Sequence, residues 1–246
     1  MSDLIREEER LDDLEINNLK IIQNPKVFCF GIDAVLLSDF AVIKQNASVM
    51  DLCSGNAVIP LLLSAKSKAG VISALEYQED IANMAKRSVK YNGLEALINI
   101  DCGDVKNIRD LYKTQSFDVV TCNPPYMPVF GGLKNDSEKL SIARHEIKCK
   151  LEDVVFAASY ILKYGGKLFM VHKPHRLPEI IQVLVKYGME PKRLRTVHPF
   201  EDKEPNMILV EAVKGGKPWL KIEAPLIVYN KDRAYTEDIL KIYGKA

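Results

Sequence analysis

The sequence predicts an α/β protein built on a doubly wound sheet that is mainly parallel and carries helices on both faces. Short apolar runs typical of buried strands alternate with segments of helical spacing from residue 47 onwards. The last two predicted strands, 193–197 and 207–213, are separated by a charged loop without a helix. We therefore expect this last pair to be antiparallel, because parallel neighbours need a long crossover between them.

Each earlier strand is predicted from a compact apolar run that ends at a turn, and each helix from apolar spacing of three and four residues. The earlier strands are predicted at 47–52, 71–75, 97–100, 117–122 and 167–172. The helices are predicted at 33–41, 58–65, 79–92, 105–112, 151–163 and 178–186. Asp33 is a candidate N-cap, and Gly93 and Gly188 mark helix ends. The stretch 127–149 is predicted to be irregular.

The start of the chain is predicted to cover the main domain. We divide the sequence into an N-terminal cover segment, 1–45, and a main domain, 46–246. Residues 1–15 are predicted to form a short amphipathic helix. Residues 16–30 alternate weakly and contain Pro25, which predicts a small hairpin or an irregular cover.

Composition narrows the class of protein. The 246 residues are 47% hydrophobic and 27% charged, which is typical of a globular chain. No apolar run approaches the roughly 18 residues of a membrane span, and the acidic start predicts neither a secretory signal nor a transit peptide. The five cysteines form no C-x-x-C, and the four histidines show no metal-binding spacing. These features predict a cytoplasmic protein without a membrane anchor, a disulfide framework or a metal.

Polar residues recur at the carboxyl ends of the predicted strands, where ligands bind in doubly wound sheets. Asp51 begins the run Asp-Leu-Cys-Ser-Gly-Asn-Ala, 51–57, which joins the first main strand to a helix. Glu76 ends the next strand, and Asp104 follows the third. The Asp51 carboxylate can orient a cationic group, Glu76 can accept from both hydroxyls of a ribose, and Asp104 can accept from an adenine amine.

Asn123, Pro124, Pro125 and Tyr126 follow the fourth strand and are the most informative group in the chain. The two prolines fix φ and supply no backbone N–H, so the loop presents hydrogen-bond acceptors. The Asn123 side-chain oxygen and the Pro124 carbonyl suit the two hydrogens of an exocyclic amine, and the Tyr126 ring suits stacking. Pro-Pro also marks ordinary loops, so the context decides its meaning. With that context, the group predicts a loop that can bind a planar amine.

The acidic glycine loop, the two acids and Asn-Pro-Pro-Tyr, in this order over 47–172, resemble class I methyltransferases that use S-adenosylmethionine (SAM). The resemblance implies a Rossmann-like sheet and catalysis by residues 123–126. The SAM-binding candidates that it implies are Asp51, Cys53, Gly55, Glu76, Asp104 and Asn123. Such loops usually carry three glycines, whereas Cys53 and Ala57 stand at the outer two places here. The turn must therefore be one that these two residues can adopt.

The segment before the first main strand, 28–37, resembles the part of small-domain and tRNA adenine-N6 methyltransferases that covers the cofactor and the substrate. Gly31 and Asp33 are its candidate cofactor-site residues, and a packed helix start is the alternative. The C-terminal runs 206–211 and 214–218 also resemble the adenine-N6 methyltransferases that modify the anticodon loop of a valine tRNA. We therefore expect a SAM-dependent enzyme that methylates the N6 amine of an adenine in tRNA, in the anticodon-loop region.

Two groups of basic residues are candidates for contact with RNA phosphates. One group contains Lys192, Arg193 and Arg195, and the other contains Lys214 and Lys217. A solvated charged face is the alternative interpretation of each group.

Other functions are compatible with parts of the pattern. A protein glutamine-N5 methyltransferase acts on the same planar amine, but its usual helical N-terminal domain needs more than the roughly 46 residues available here. A DNA adenine-N6 methyltransferase is a second alternative, although no separate target-recognition region is apparent. The altered glycine loop also admits a non-catalytic SAM- or RNA-binding protein. A dinucleotide dehydrogenase is disfavoured because the chain has no G-x-G-x-x-G.

Overall fold

The computed structural model describes residues 4–27, 29–125 and 149–245, and within them helices pack on both faces of a nine-stranded sheet. The strands are β1 (Arg10–Asp13), β2 (Lys20–Gln23), β3 (Ser48–Leu52), β4 (Val71–Glu76), β5 (Ile98–Cys102), β6 (Phe117–Cys122), β7 (Leu162–His172), β8 (Met189–His198), β9 (Met207–Lys214), β10 (Lys221–Ile222) and β11 (Leu226–Ile227). The helices are α1 (Ile32–Phe40), α2 (Val58–Lys66), α3 (Glu79–Tyr91), α4 (Ile108–Leu111), α5 (Leu151–Ile161), α6 (Leu177–Lys186) and α7 (Glu237–Ile242). Short 3₁₀ turns lie at Val105–Asn107 and Pro174–Arg176.

The order of the strands confirms the predicted doubly wound, mainly parallel sheet. The order is β10-β8-β9-β7-β6-β3-β4-β5, and β11 also pairs with β8. The strands β5, β4, β3, β6 and β7 run parallel to one another, whereas β9 is antiparallel to both β7 and β8. The chain leaves β3 towards β4 and β5 and then returns to the other side of β3 with β6. This reversal opens a crevice at the carboxyl ends of β3 and β6, where ligands bind in such sheets.

Two hydrophobic cores lie on opposite faces of the sheet because successive side chains of each strand point to opposite faces. Val49 and Phe169 belong to the core covered by α1, α2, α3 and α7. Their neighbours Met50 and Met170 belong to the core covered by α4, α5 and α6. Each fully buried side chain of this size contributes about 1.5–3 kcal/mol relative to an exposed one. The central strands are therefore fixed from both sides.

The predicted helix at 1–15 is wrong, because residues 10–13 form a strand instead. β1 and β2 make an antiparallel hairpin in which Leu11 pairs with Ile22. Only β2 lies within 16–30, so this is not the hairpin considered for that segment. The hairpin packs on α3, where the Ser88 hydroxyl accepts from the Ile22 N–H at 3.0 Å. These contacts join residues far apart in sequence, so local spacing could not indicate them. The boundary at residue 45 stays a prediction.

The first helix begins one residue earlier than expected. Gly31, with an extended backbone, is the N-cap residue of α1, and no side chain caps this end. Asp33 lies in the first turn, where its Oδ1 accepts from the Ala34 N–H at 2.9 Å. The expectation that Asp33 is the N-cap is therefore wrong, although its side chain still bonds to the start of the helix.

Arg193 serves the fold and ties the end of α1 to the sheet. Its guanidinium forms ion pairs with Glu211 and Glu223, donates to the Phe40 carbonyl at 2.8 Å, and lies 4.2 Å from the centre of the Phe40 ring. Glu211 is 4% exposed and also pairs with Lys167 at 2.7 Å. Because these groups occupy the guanidinium, the expected contact of Arg193 with RNA phosphate is not supported.

Two of the other basic candidates, Lys192 and Lys214, are engaged by backbone carbonyls. Lys214 Nζ donates to the Leu162 carbonyl at 2.8 Å, and Lys192 Nζ donates to the Lys217 carbonyl at 2.9 Å. Lys214 pairs in register with Met189, the first residue of β8. This end of β8 and β9 lies at the sheet edge opposite the carboxyl ends of the parallel strands. The expected contact of these lysines with RNA therefore stays a prediction without support from their position.

Glu211→Ala should destabilise the fold, because it removes the carboxylate that Arg193 and Lys167 share. The free energy of unfolding should fall by about 3 kcal/mol, the low end for a broken buried pair, since Arg193 retains some solvent contact. Urea denaturation measures this change. Glu201→Ala, at an exposed position, is the control, and equal unfolding midpoints for the two variants would contradict the assigned role.

Candidate active site

The crevice brings the loop after β3 against the end of β4. Gly55 N–H donates to Glu76 Oε2 at 2.9 Å, and Ser54 N–H donates to the Leu75 carbonyl at 3.1 Å. The second carboxylate oxygen of Glu76 accepts from the Gln78 N–H at 2.9 Å. Glu76 is 7% exposed, so two backbone donors hold its carboxylate in one orientation at this edge. Each oxygen of a carboxylate has a further lone pair for a ligand hydroxyl.

The three positions at which glycines are usual in such a loop all adopt left-handed backbone conformations. The φ angles are 57° at Cys53, 57° at Gly55 and 67° at Ala57. Glycine adopts this region freely, whereas Cys and Ala incur a cost of roughly 1–2 kcal/mol each. The loop therefore keeps the conformation of a three-glycine loop despite its two substitutions. Ala57 is fully buried at the start of α2, and this packing stabilises its strained backbone conformation.

Asp51 is a buried carboxylate at the centre of the crevice. Its Oδ1 accepts from the Thr121 hydroxyl on the neighbouring strand at 2.6 Å. Burial raises the pKa of Asp51 to about 7, against the lowering effects of the Thr121 and Ser54 hydroxyls. The Asp51 Oδ2, the Ser54 Oγ and the Asn56 Oδ1 are all buried, and none of them has a partner in hydrogen-bond geometry among the described residues. Buried acceptors without donors are costly, so a cationic donor such as an ammonium group fits this place.

Asp104 has a structural contact of its own. Its Oδ1 accepts from the Lys106 N–H at 2.9 Å and caps the 3₁₀ turn Val105–Asn107. The residue follows β5, so it lies at the same sheet edge as Glu76, as the sequence predicts. Its predicted contact with an adenine amine stays a prediction.

Asn123 follows β6 and meets a residue from the start of α1. The Asn123 Nδ2 donates to Asp33 Oδ2 at 3.0 Å. Asn123 and Pro125 are half-buried, and Pro124 is buried. Tyr126 lies outside the described residues, as do residues 127–148 of the stretch predicted to be irregular. The structure thus unites Asp33 with the predicted catalytic loop, although the two are 90 positions apart.

Sequence reasoning missed a cluster of three cysteines beside the loop. Cys53 Sγ lies 3.6 Å from Cys149 Sγ, and Cys122 is buried at the end of β6. A hydrogen bond with the Cys122 thiol, together with burial, raises the pKa of Cys53 well above its usual value. Cys53 therefore stays protonated, which favours a packing role over a reactive thiolate. Cysteines spread over 96 positions carry no spacing signal that could have revealed the cluster.

His172 ends β7 at the same edge of the sheet but is 3% exposed. Its Nδ1 accepts from the Lys173 N–H at 2.8 Å, which places the ring proton on Nε2. Burial lowers the pKa of His172 to about 4, so the ring is neutral near neutral pH. The residue packs as a structural histidine.

The described part of the chain has neither a metal-binding group nor a membrane-spanning helix. Among residues 4–27, 29–125 and 149–245, no three or more His, Cys, Asp or Glu side chains form a group that could hold a metal ion. Within the same ranges, no helix is both long and apolar enough to span a bilayer.

Comparison with known families decides the class of this site. Residues 18–187, more than half of the chain, match the family described as the methyltransferase small domain. The chain belongs to this family. It is a methyltransferase, and SAM is its methyl donor, in agreement with the unpartnered acceptors of the crevice.

Curated relatives of this methyltransferase carry one name, tRNA1(Val) (adenine(37)-N6)-methyltransferase. A Porphyromonas gingivalis protein is 27% identical over 187 residues, which cover 74% of this chain and 72% of its own length. An Aeromonas salmonicida protein is 23% identical over 213 residues, which cover 86% of this chain and 87% of its own.

Solved structures show the same fold. An Agrobacterium tumefaciens protein described as a predicted O-methyltransferase has a TM-score of 0.71 at 24% identity and covers 87% of this chain and 97% of its own. A SAM-dependent methyltransferase from Aquifex aeolicus has a TM-score of 0.53 at 15% identity, with coverages of 74% and 89%. At these identities the likeness concerns the fold alone.

The raised pKa of Asp51 predicts that the ligand-free protein loses stability as pH rises. The folded-state pKa of about 7 exceeds the ordinary 3.8, so this group favours folding while it is protonated, and the gain is lost through about pH 7. Between about pH 5 and about pH 8 the free energy of unfolding should fall by about 2–3 kcal/mol on this account. Urea unfolding of the wild type and Asp51→Asn measures it, because the amide does not titrate but still accepts from Thr121. A wild-type dependence no steeper than that of the variant would contradict the prediction.

Proposed function

We propose that this methyltransferase transfers a methyl group to the N6 amine of an adenine in tRNA, in the anticodon-loop region. The observation that carries the proposal is the position of Asn123 and Pro124 at the carboxyl end of β6, next to the loop 53–57. Both sit at the reversal of strand order, where a bound cofactor and an acceptor-rich loop meet. The names of the curated relatives support the substrate.

The cofactor would lie along the carboxyl ends of β3, β4 and β5. Asp51 would pair with its amino group, which supplies the donor that the buried Oδ2 lacks. Glu76 would accept from the ribose hydroxyls through its second lone pairs, and Asp104 would accept from the adenine amine of the cofactor. The left-handed turn at Cys53 and Gly55 lets the backbone approach the ligand closely.

The target amine would be held by Asn123 and Pro124. When bound, SAM supplies a methyl group that its positively charged sulfur activates. The Asn123 oxygen and the Pro124 carbonyl would accept the two amine hydrogens, which draws the nitrogen lone pair out of conjugation with the ring and towards the methyl carbon. Alignment of the nitrogen with the methyl carbon would provide much of the rate. The methylated nitrogen then releases its proton to water.

An adenine must leave its base pair and stack to enter such a pocket. Loops expose unpaired bases, so an anticodon loop is a suitable substrate. A tRNA substrate would place the enzyme in the cytoplasm. A glutamine amide or a DNA adenine offers the same planar amine, and these substrates are the alternatives in the assay below.

Methyl transfer from labelled SAM to bulk tRNA that lacks its own modification tests the proposal, with nucleoside analysis of the product. We expect N6-methyladenosine. Label in DNA or in a glutamine-containing peptide, with none in tRNA, would favour the alternative substrates, and no transfer with intact SAM binding would favour a binding protein.

Asn123→Ala should abolish most turnover and leave the fold intact, because the amide acts on the target amine. We expect kcat to fall on the order of 100-fold or more, with a smaller change in KM. Asn99→Ala, at an exposed position of β5, is the matched control. Near wild-type methylation by Asn123→Ala would remove the residue from the mechanism.

Binding of S-adenosylhomocysteine, which carries the same amino group, should strengthen as pH rises. Asp51 has a pKa of about 7, so it is mostly neutral at about pH 6 and mostly ionised at about pH 8. The Kd measured by calorimetry should fall by up to roughly tenfold between these values, since only the ionised form pairs with the ammonium. The Asp51→Asn variant should show a flat Kd. A pH-independent wild-type Kd would place the amino group elsewhere.

A further inference from the structure

Asp33 holds the Asn123 side chain by one end of its amide. The Asp33 Oδ2 accepts from the Asn123 Nδ2 at 3.0 Å, and the other carboxylate oxygen accepts from the Ala34 N–H at 2.9 Å. The carboxylate is therefore held from both sides, by its own helix and by the catalytic loop.

Gly31 makes room for this arrangement. A Cβ built at Gly31 would lie 2.8 Å from Asp33 Oδ1, closer than carbon and oxygen approach. A side chain at position 31 would require the Asp33 carboxylate to shift. The conformation of Gly31 is extended, so space rather than backbone freedom explains the glycine.

The chemistry of the pair fixes the direction of the amide. An ionised carboxylate only accepts hydrogen bonds, so the Asn123 amide must turn its NH₂ group towards Asp33. The reverse orientation would bring two oxygen atoms together at hydrogen-bond distance. With the NH₂ group at Asp33, the amide oxygen of Asn123 lies at the other end of the group.

We propose that Asp33 is a positioning residue that fixes the polarity of Asn123 and thereby makes this site selective for amine donors over oxygen acceptors. The inference rests on the proposed function and deepens it by naming the residue that sets the selectivity for an amine. An exocyclic amine offers hydrogens to the Asn123 oxygen and the Pro124 carbonyl. A carbonyl oxygen at the same ring position, as in hypoxanthine, offers none and is repelled.

The position of Asp33 suits this role. It lies in the first turn of α1, and buried side chains along this helix pack into the core. Arg193 binds the carbonyl of Phe40 at the other end of the same helix. Groups that act through a catalytic side chain work best from such rigid elements. This role differs from the cofactor contact that the sequence predicts for Asp33.

The first test compares Asp33→Ala with Asp39→Ala. Asp39 lies on the same helix and pairs with Lys66 at 3.8 Å, so its loss removes the same charge away from Asn123. At saturating SAM and tRNA, single-turnover rates should fall on the order of 10- to 100-fold for Asp33→Ala, the scale of a misplaced reacting group. The Kd for S-adenosylhomocysteine should stay within about twofold. Asp39→Ala should resemble the wild type in both measurements.

The conservative variant Asp33→Asn separates polarity from packing. Its side chain can accept from Asn123 but can also turn and donate, so it should recover part of the rate lost in Asp33→Ala. Rates of Asp33→Asn equal to those of Asp33→Ala would overturn the proposed fixing of polarity.

A double-variant cycle shows whether Asp33 acts through Asn123. In the Asn123→Ala background, Asp33→Ala should lower the residual rate by less than about twofold, because its partner is already absent. A full additional loss would show an independent role and overturn the proposal. A higher Kd for S-adenosylhomocysteine with an unchanged rate at saturation would indicate that Asp33 contacts the cofactor instead. The activity of the wild type on tRNA tests the proposed function separately. The role of Asp33 is tested by the ratio of the variant's rate to the wild-type rate, measured with whichever amine substrate the wild type methylates.

Discussion

The reversal of strand order at β3 is the constraint on which the rest of this molecule depends. Parallel neighbours require helical crossovers, and these helices cover both faces of the sheet and produce its two cores. Where the order reverses, the connections leave β3 and β6 in opposite directions, and their carboxyl ends border an open crevice. The loop 53–57 and Asn123 lie together at this crevice only because the sheet is wound in this way.

The polar groups and strained backbone of the crevice lower the stability of the fold. Asp51 is fully buried, Asn56 and Asp51 each present an acceptor without a donor, and two non-glycine residues of the loop have positive φ. Each of these features costs stability, and the surrounding cores hold them in place. The features coincide at one place, the crevice at the carboxyl ends of β3 and β6. Binding of a cationic group there would offset part of the desolvation penalty of the buried acceptors.

One network of charged residues stabilises the fold from within. The buried Glu211 forms ion pairs with Arg193 and Lys167, and Arg193 in turn donates to the Phe40 carbonyl at the end of α1. The start of the same helix carries Asp33, which bonds to Asn123. One helix thus connects the antiparallel part of the sheet to the Asn123 side chain. A cluster of basic residues in a sequence is therefore weak evidence for an RNA surface, because intramolecular partners can engage it.

The sequence by itself determined the fold class, the order of the main strands and helices, and the acceptor-rich loop after β6. These features depend on local properties: apolar periodicity, glycine stops and the missing N–H groups of two prolines. Only the tertiary structure decided that residues 10–13 form a strand, that Cys53 and Ala57 adopt left-handed conformations, and that Asp33 bonds to Asn123. These outcomes depend on contacts between segments up to 90 positions apart, whose energies outweigh local preference and leave no periodic signal in the chain.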